Sequence, residues 1–282
     1  MTRDIYAEVT SAIAAAIEKN PGDPVMPWHR GGANQVPRNA ATAHEYQGMK
    51  ILNLWVTAQA GGYDSNEWAT YRQWRQVGAH VRKGEKASII VFYKQITKES
   101  EAGEDETFRV LKWFSVFNAN QVEGWQAEID LTAASPMETL EKLERTVAAT
   151  GAVIQEGGAN ACYAPTLYLI RMPQRARFFD TETSTRAENF YAVLLHELTH
   201  WTGHPSHCDR DLRNRFGSEA YAMEELVAEL GAAFLCARLG GSTTPREDHA
   251  QYVANWLQVL KADKKAIFTA AAQAQAAVDF VL

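Results

Sequence analysis

The feature that most constrains this chain is the segment HELTH at residues 196–200, an H-E-x-x-H sequence. A capping-box pattern at residues 185–188 precedes it and predicts a helix that runs through both histidines. Residues four apart share one helical face, so His196 and His200 can both reach one metal ion, with Glu197 beside it. The spacing predicts a Zn²⁺ site, with another divalent metal such as Mn²⁺ as the alternative, and makes Glu197 the candidate general base.

A catalytic zinc needs a third protein ligand, and the sequence offers two carboxylates for it. A three-histidine pattern fails because its last position is occupied by Ser206. Glu225 and Glu229 are four apart and share a helical face. Glu229 is the preferred ligand because its neighbours are alanine, leucine and glycine, and a buried carboxylate is costly unless it is paired or metal-bound. Glu225 is the fallback, or a group that orients a histidine.

This ligand set predicts metal-assisted hydrolysis, in which Glu197 takes a proton and passes it to the leaving amine. Tyr221 and His249 are candidates for stabilising the oxyanion. The alternative interpretation is that two surface histidines lie on an ordinary helix and that both glutamates pair only with arginines.

Composition excludes several classes of protein. Of the 282 residues, 46% are apolar and 22% are charged, which is near the norm for globular domains and far from disordered or collagen-like chains. No apolar stretch approaches the ~18 residues of a membrane helix, so we expect no membrane partner. Three cysteines without a CxxC pair predict a reducing, cytoplasmic location. With a net charge of −6, any nucleic-acid contact must come from a local patch.

Patterning predicts an α+β chain of two domains. An N-terminal α+β domain covers residues 1–128, a linker covers 129–135, and a domain of helices around a small antiparallel sheet covers 136–282. We expect that sheet to pack on the H-E-x-x-H helix and on further helices. Its strands are predicted near residues 152–156, 161–170 and 176–180.

A basic, aromatic segment runs from Trp68 to Lys98. It holds seven cationic side chains against Glu85 alone, with aromatic residues interleaved. Cations that follow phosphates and rings that stack on bases are what binding of single-stranded DNA requires. The residues predicted to contact DNA are Trp68, Tyr71, Arg72, Trp74, Arg75, Arg82, Lys83 and Lys86. The alternative is that the two tryptophans are core residues and the basic groups form a solvated face.

Together these segments resemble a known family. The stretches HELTHWTGHPSH and FGSEAYAMEELVAELGAAFL are similar to the ArdC-type antirestriction proteins of conjugative plasmids. The N-terminal stretches MPWHR, YQGMKILNLW, WATYRQWRQVGAHVRKGEKA and WFSVFNANQV resemble the same family, in the expected order. A related domain occurs in plasmid-encoded primases of the TraC type.

The resemblance implies an N-terminal domain that binds single-stranded DNA and a C-terminal domain with a zincin metallopeptidase-like fold. It implies protection of incoming plasmid DNA from host restriction during conjugation. A restriction enzyme or another DNA-bound protein would be the target of the metal site. Two other functions stay open: a non-catalytic DNA-coating protein with a structural metal, and a DNA-guided protease acting on DNA-bound proteins.

Overall fold

A computed structural model describes residues 4–19, 35–99, 105–126, 135–182, 184–212, 218–241 and 249–282. The chain divides into two compact units, residues 37–128 and residues 1–36 together with 129–282. The helices are α1 (Ile5–Glu18), α2 (Met49–Gly61), α3 (Tyr71–Gln76), α4 (Pro136–Ala149), α5 (Arg186–Trp201), α6 (Glu219–Leu239), α7 (His249–Ala262) and α8 (Ala266–Val281). The strands are β1 (Arg38–Asn39), β2 (Glu67–Ala69), β3 (His80–Val81), β4 (Ser88–Glu99), β5 (Asp105–Asn118), β6 (Val122–Glu123), β7 (Val153–Gly158), β8 (Cys162–Ala164) and β9 (Leu169–Pro173).

The unit of residues 37–128 is built on a four-stranded sheet in the order β1-β2-β5-β4. Its main feature is the antiparallel hairpin of β4 and β5, paired in register from Ser88 opposite Val116 to Glu99 opposite Asp105. The β-branched and aromatic residues of both strands favour this extended pairing. In this order β4 is an edge strand of the sheet.

Two tryptophans form the centre of this unit. Trp68 and Trp74 are 1% and 0% exposed, and the Trp74 indole N–H donates to the carbonyl of Phe117 at 3.0 Å. Trp125 packs edge-on against Trp74, with ring centroids 5.2 Å apart. Trp74 lies on α3, which begins at a capping box formed by Thr70 and Gln73. Because a helix this short is not stable alone, the packing of Trp74 in the core stabilises α3.

The second unit contains a three-stranded sheet in the order β7-β9-β8. The sheet is mixed, because β7 pairs with β9 in parallel and β8 pairs with β9 antiparallel, whereas the prediction was an antiparallel sheet. The predicted strand at 176–180 is absent; residues 175–177 form a single 3₁₀ turn instead. The parallel pair is possible because the chain returns through β8 before it forms β9.

Helix α5 begins where the sequence predicts, at a capping box formed by Thr185 and Glu188. A second capping box starts α4 at Ser135, and Pro136 occupies the first turn of that helix. The two-unit α+β architecture confirms the predicted fold class. Apart from Ser135, residues 129–135 of the predicted linker lie outside the described residues.

Helix α1 differs from the expected arrangement, which placed it in the N-terminal domain. It packs in the second unit, where Tyr6 meets Phe268 edge-on at 4.8 Å and Thr10 donates to the carbonyl of Lys264 at 2.7 Å. Asp4 forms an ion pair of 2.6 Å with Lys264. The apolar stripe of α1 needs a partner, and α7 and α8 provide it.

Helices α5 and α6 approach each other closely at Gly231. A Cβ atom at this position would lie 2.5 Å from Cγ2 of Thr199, so only a glycine fits there. This contact brings the inward faces of the two helices together and fixes the distance between the side chains they carry. Among the described helices, none combines the length and the apolar character that crossing a bilayer requires.

Candidate functional site

The facing sides of α5 and α6 bring three predicted residues together. The Nε2 atom of His196 lies 3.5 Å from Oε2 of Glu225, and Nε2 of His200 lies 3.6 Å from Oε1 of the same carboxylate. One ligand atom from each of the three residues falls within 4.8 Å of the others. Within the described ranges, no other histidine, cysteine, aspartate and glutamate side chains form such a group.

This cluster fits a divalent metal. Within the described part of the chain, neither ring nitrogen of His196 forms a hydrogen bond, although both are buried. A buried polar atom without a partner costs about 1–3 kcal/mol, so an imidazole in this state is incomplete without a ligand. Two imidazole nitrogens and one carboxylate oxygen are the donor set of open catalytic zinc sites. The residues present therefore fit a divalent metal ion.

The structure places the two glutamates on different sides of His196. Glu225, the fallback on sequence, faces the Nε2 atoms, whereas Glu229, the preferred ligand on sequence, lies 3.7 Å from Nδ1 of His196, on the far side of the ring. Both are buried on one face of α6. Their spacing is one helical turn, and the crossing point of the helices decides which turn faces the histidine pair. The apolar neighbours of Glu229 correctly predicted its burial.

His200 has its own supporting carboxylate. Oε1 of Glu224 lies 3.0 Å from Nδ1 of His200, and the Arg210 guanidinium donates hydrogen bonds of 2.9 Å to both carboxylate oxygens of Glu224. The guanidinium also donates to the carbonyl of Thr199 at 2.7 Å and to the hydroxyl of Thr202 at 3.0 Å. Each histidine thus has an acidic group behind it, an arrangement that orients metal-ligating imidazoles. The sequence did not indicate this pair. Arg210 lies in the loop after α5, and no local pattern connects it with Glu224 on α6.

The electrostatics of the cluster favour ionised carboxylates. Burial works to raise the pKa of Glu225, but the two histidines facing it outweigh that effect and lower the pKa to about 2. Burial works to lower the pKa of His200, yet the hydrogen bond to Glu224 and the charges of the surrounding carboxylates raise it above its ordinary value. Tyr221 hydrogen-bonds to Glu225, and the side chain of His249 lies outside the described residues.

The predicted base, Glu197, is buried and held in place. Its Oε2 atom accepts a hydrogen bond of 2.8 Å from the backbone N–H of Tyr163, which belongs to β8 at the border of the sheet. This bond fixes the carboxylate beside the two histidines of its own helix. No sequence pattern pointed to Tyr163, because the contact uses its backbone.

The other histidines near the site are used elsewhere. Nε2 of His207 lies 2.7 Å from the hydroxyl of Tyr168, and its ring lies 4.2 Å from that of Trp201. Nδ1 of His204 pairs with the hydroxyl of Ser206 at 2.7 Å. The loop that follows α5 therefore holds them in an aromatic cluster and not at the His196–His200 pair.

The predicted DNA contacts divide into two groups. Trp68 and Trp74 are core residues, so neither ring can stack on a base, which removes both from the predicted set. The remaining members are exposed; they are Tyr71, Arg72 and Arg75 on α3, and Arg82, Lys83 and Lys86 in the turn before β4. Arg82 is paired with Glu85 at 2.8 Å, which offsets its charge. Tyr71, at 53% exposure, is the ring in this group that solvent reaches.

Two family descriptions match the chain. Residues 3–117 match the N-terminal domain of the anti-restriction factor ArdC, and residues 141–273 match a zincin-like metallopeptidase domain. The protein y4eC of Sinorhizobium fredii is 42% identical over 99% of this chain and 91% of its own length. A DNA primase TraC of Escherichia coli is 35% identical over 91% of this chain, which spans 25% of that larger protein.

Solved structures agree with these matches. The metal-free crystal structure of the antirestriction protein ArdC from the R388 plasmid is 40% identical, with a TM-score of 0.80 over 99% of this chain and 97% of that one. Its Mn(II)-bound crystal structure gives a TM-score of 0.79 at the same identity and coverage. The similarity therefore covers both units.

Proposed function

We propose that this chain, which belongs to the ArdC family of antirestriction proteins, binds single-stranded DNA and carries a zinc-dependent peptidase site. In this role it protects incoming plasmid DNA from host restriction during conjugation. The observation that carries the proposal is the group of His196, His200 and Glu225, buried together and lying beside the held carboxylate of Glu197. A purely structural metal would have no need of that fourth group.

The metal proposed for this site is zinc, held by His196, His200 and Glu225. A mixed nitrogen and oxygen site of given geometry binds Zn²⁺ more tightly than Mn²⁺, so Zn²⁺ is favoured wherever the two are equally available. A divalent cation there supplies Lewis-acid chemistry toward a peptide carbonyl and toward water. Three protein ligands leave a position open for substrate, as in catalytic zinc sites.

The protein's own groups supply the proton chemistry. Glu197 accepts a proton from the attacking water and delivers it to the leaving amine, while the N–H of Tyr163 keeps one carboxylate oxygen fixed. Glu229 and Glu224 stand behind the two histidines and hold their rings in the orientation that ligation needs. Burial of the group excludes bulk water and strengthens each of these interactions.

The DNA half of the proposal rests on the exposed basic residues of the unit of residues 37–128. Arg72 and Arg75 lie on α3 beside the exposed ring of Tyr71. Phosphate contacts of this kind make binding salt-dependent. Replacing both arginines with alanine should weaken binding and make log K versus log salt shallower by about 0.7 per lost phosphate contact. Arg145→Ala, at an exposed position of α4 in the other unit, is the control.

The metal half is tested by elemental analysis of purified protein together with Glu197→Gln. We expect about one divalent ion per chain in both proteins, with loss of protection in the variant, measured as transfer of a plasmid that carries this gene into a restricting recipient. Glu219→Gln, an exposed acid in the first turn of α6, is the control. Absence of bound metal from the unmodified protein would overturn the peptidase half.

The same variant separates the rival functions. If protection survives in Glu197→Gln and DNA binding is intact, then hydrolysis is dispensable and the protein acts by coating DNA. If protection is lost and a DNA-bound protein is no longer cleaved, the site is a protease that DNA directs to its target.

A further inference from the structure

The β4–β5 hairpin carries an unusual arrangement on one of its faces. Cross-strand pairing places Phe92 opposite Lys112, with Lys94 and Phe114 one step away along their strands on the same face. The rings of Phe92 and Phe114 lie parallel, with centroids 4.8 Å apart and planes 6° apart. We call these four residues the hairpin face. They are diagonal and direct cross-strand neighbours, so the sheet itself fixes their spacing.

Phe114 and the two lysines of the hairpin face are exposed and Phe92 is half-buried, whereas the same side of the sheet is buried farther from the hairpin tip. Ile90 and Val116, on the same side of the sheet, are 7% and 0% exposed, whereas Phe114 is 52% exposed. Both lysines are exposed as well. A large ring left in solvent beside a buried row costs hydrophobic free energy, which indicates a surface with a binding role.

The two sides of the hairpin differ in how their rings are paired across the strands. On the opposite side, Tyr93 and Trp113 lie opposite the apolar residues Leu111 and Val91, and the next row there pairs Gln95 with Arg109. On the hairpin face, Phe92 lies directly opposite Lys112, and Lys94 is the next residue of β4 on that face. The hairpin face therefore places two lysines directly beside its rings.

Stacked rings between cations suit one class of ligand. Unpaired bases offer flat surfaces to phenylalanine rings, and the linking phosphates offer negative charge to lysines. Duplex bases are stacked on one another and leave no such surface. Phenylalanine has no hydrogen-bonding group, so this contact carries no sequence readout.

We propose that the hairpin face is a base-stacking site for single-stranded DNA, in which Phe92 and Phe114 receive bases and Lys94 and Lys112 hold the adjoining phosphates. This inference rests on the proposed function. It adds a DNA-contact site that lies outside the basic residues of α3 and of the turn before β4. It also supplies the stacking rings that the buried Trp68 and Trp74 cannot provide.

The test measures the affinity of the full chain for a fluorescent oligothymidylate by anisotropy. Phe114→Ala and Phe114→Leu should each weaken binding by about 5- to 150-fold, the range measured for loss of one base–ring stack. Phe114→Trp should retain binding, because it keeps an aromatic face. Tyr93→Ala, an equally exposed ring on the opposite side, is the matched control and should bind normally. The leucine variant keeps apolar contact with Phe92, which guards against loss of folding.

The lysines are tested by salt dependence. In Lys94→Ala plus Lys112→Ala, the slope of log K against log salt should become shallower by about 0.7 for each lysine. An unchanged slope would overturn their assigned role.

Three outcomes overturn the site. Unchanged affinity in Phe114→Ala and Phe114→Leu would remove the hairpin face alone and leave the proposed function standing. Concentration-dependent dimers that Phe114→Ala abolishes, with DNA affinity unchanged, would assign this face to a second copy of the chain. Absence of oligothymidylate binding by the unmodified protein would overturn the DNA half of the proposed function, and this site with it.

Discussion

At the scale of single residues, the proposed metal site depends on two carboxylates that lie one helical turn apart. Glu225 faces the Nε2 atoms of His196 and His200, the proposed ligand atoms, and Glu229 lies behind His196. Glu229→Gln should lower metal affinity by about 10- to 100-fold, the usual loss for a group that orients a ligand. Glu225→Gln removes a ligand and should lower it further. Competition titrations with a chromophoric chelator measure both, and a larger loss in Glu229→Gln would contradict the assignment.

Arg210 is the residue on which the support of His200 depends. Its guanidinium and Glu224 are 5% and 11% exposed, so removing one leaves the other nearly buried and uncompensated. Arg210→Met should therefore cost about 3–5 kcal/mol of the free energy of unfolding, measured in urea. Arg177→Met, at an exposed position, is the control. If Arg210→Met matched that control, the ion pair would have no structural role.

Residue types identified the candidate groups of the site but not their geometry. The two histidines and the glutamate of H-E-x-x-H are candidate ligands and a candidate base on sequence alone. The choice between Glu225 and Glu229 depends on where two helices cross, which is long-range information. Arg210 and the N–H of Tyr163 arrive from a loop and a strand, and no local pattern encodes either contact.

At the scale of elements, the close approach of α5 and α6 brings His196, His200 and Glu225 together. Gly231→Ala would place a Cβ 2.5 Å from the Cγ2 atom of Thr199 and 2.8 Å from its Oγ1. We expect this overpacking to cost about 1–3 kcal/mol in unfolding free energy.

A second substitution tests the cause of that loss. Thr199→Ala removes both close atoms, so the double variant should recover part of the stability that Gly231→Ala loses. Urea unfolding of the two single variants and the double variant gives the coupling between the positions. Strict additivity would show that the contact does not set the spacing of the helices.

Local patterns predicted some elements well and others poorly. Helices α4 and α5 were predictable because capping boxes and apolar spacing agree at Ser135 and Thr185. The expected strand at 176–180 is a turn, because aromatic content alone does not supply a pairing partner. Trp68 and Trp74 lie between basic residues in sequence, yet they point inward, since neighbours on a helix or strand face different ways.

At the scale of the whole molecule, metal should stabilise one unit and not the other. All three proposed ligands lie in the unit of residues 1–36 and 129–282. Metal that binds only the folded state should add about 2.7 kcal/mol at a free concentration about 100 times Kd. Calorimetry with and without chelator should show one transition moving and the other unchanged. Equal shifts in both transitions would contradict a single site.

Chain order also failed to predict which unit α1 joins. Ile5, Val9, Ile13 and Ile17 lie at helical spacing and form the buried face of α1. This spacing could not identify the partner, because α7 and α8 lie more than two hundred residues later in the chain. Periodicity determines that a face must be covered and leaves open what covers it.

Anomalous diffraction from crystals of this protein grown with zinc tests the proposed metal site most directly. We expect one strong peak bonded to Nε2 of His196, Nε2 of His200 and a carboxylate oxygen of Glu225, with Glu229 outside bonding distance. A map without a peak between α5 and α6, or with a peak bonded to Glu229 in place of Glu225, would contradict it.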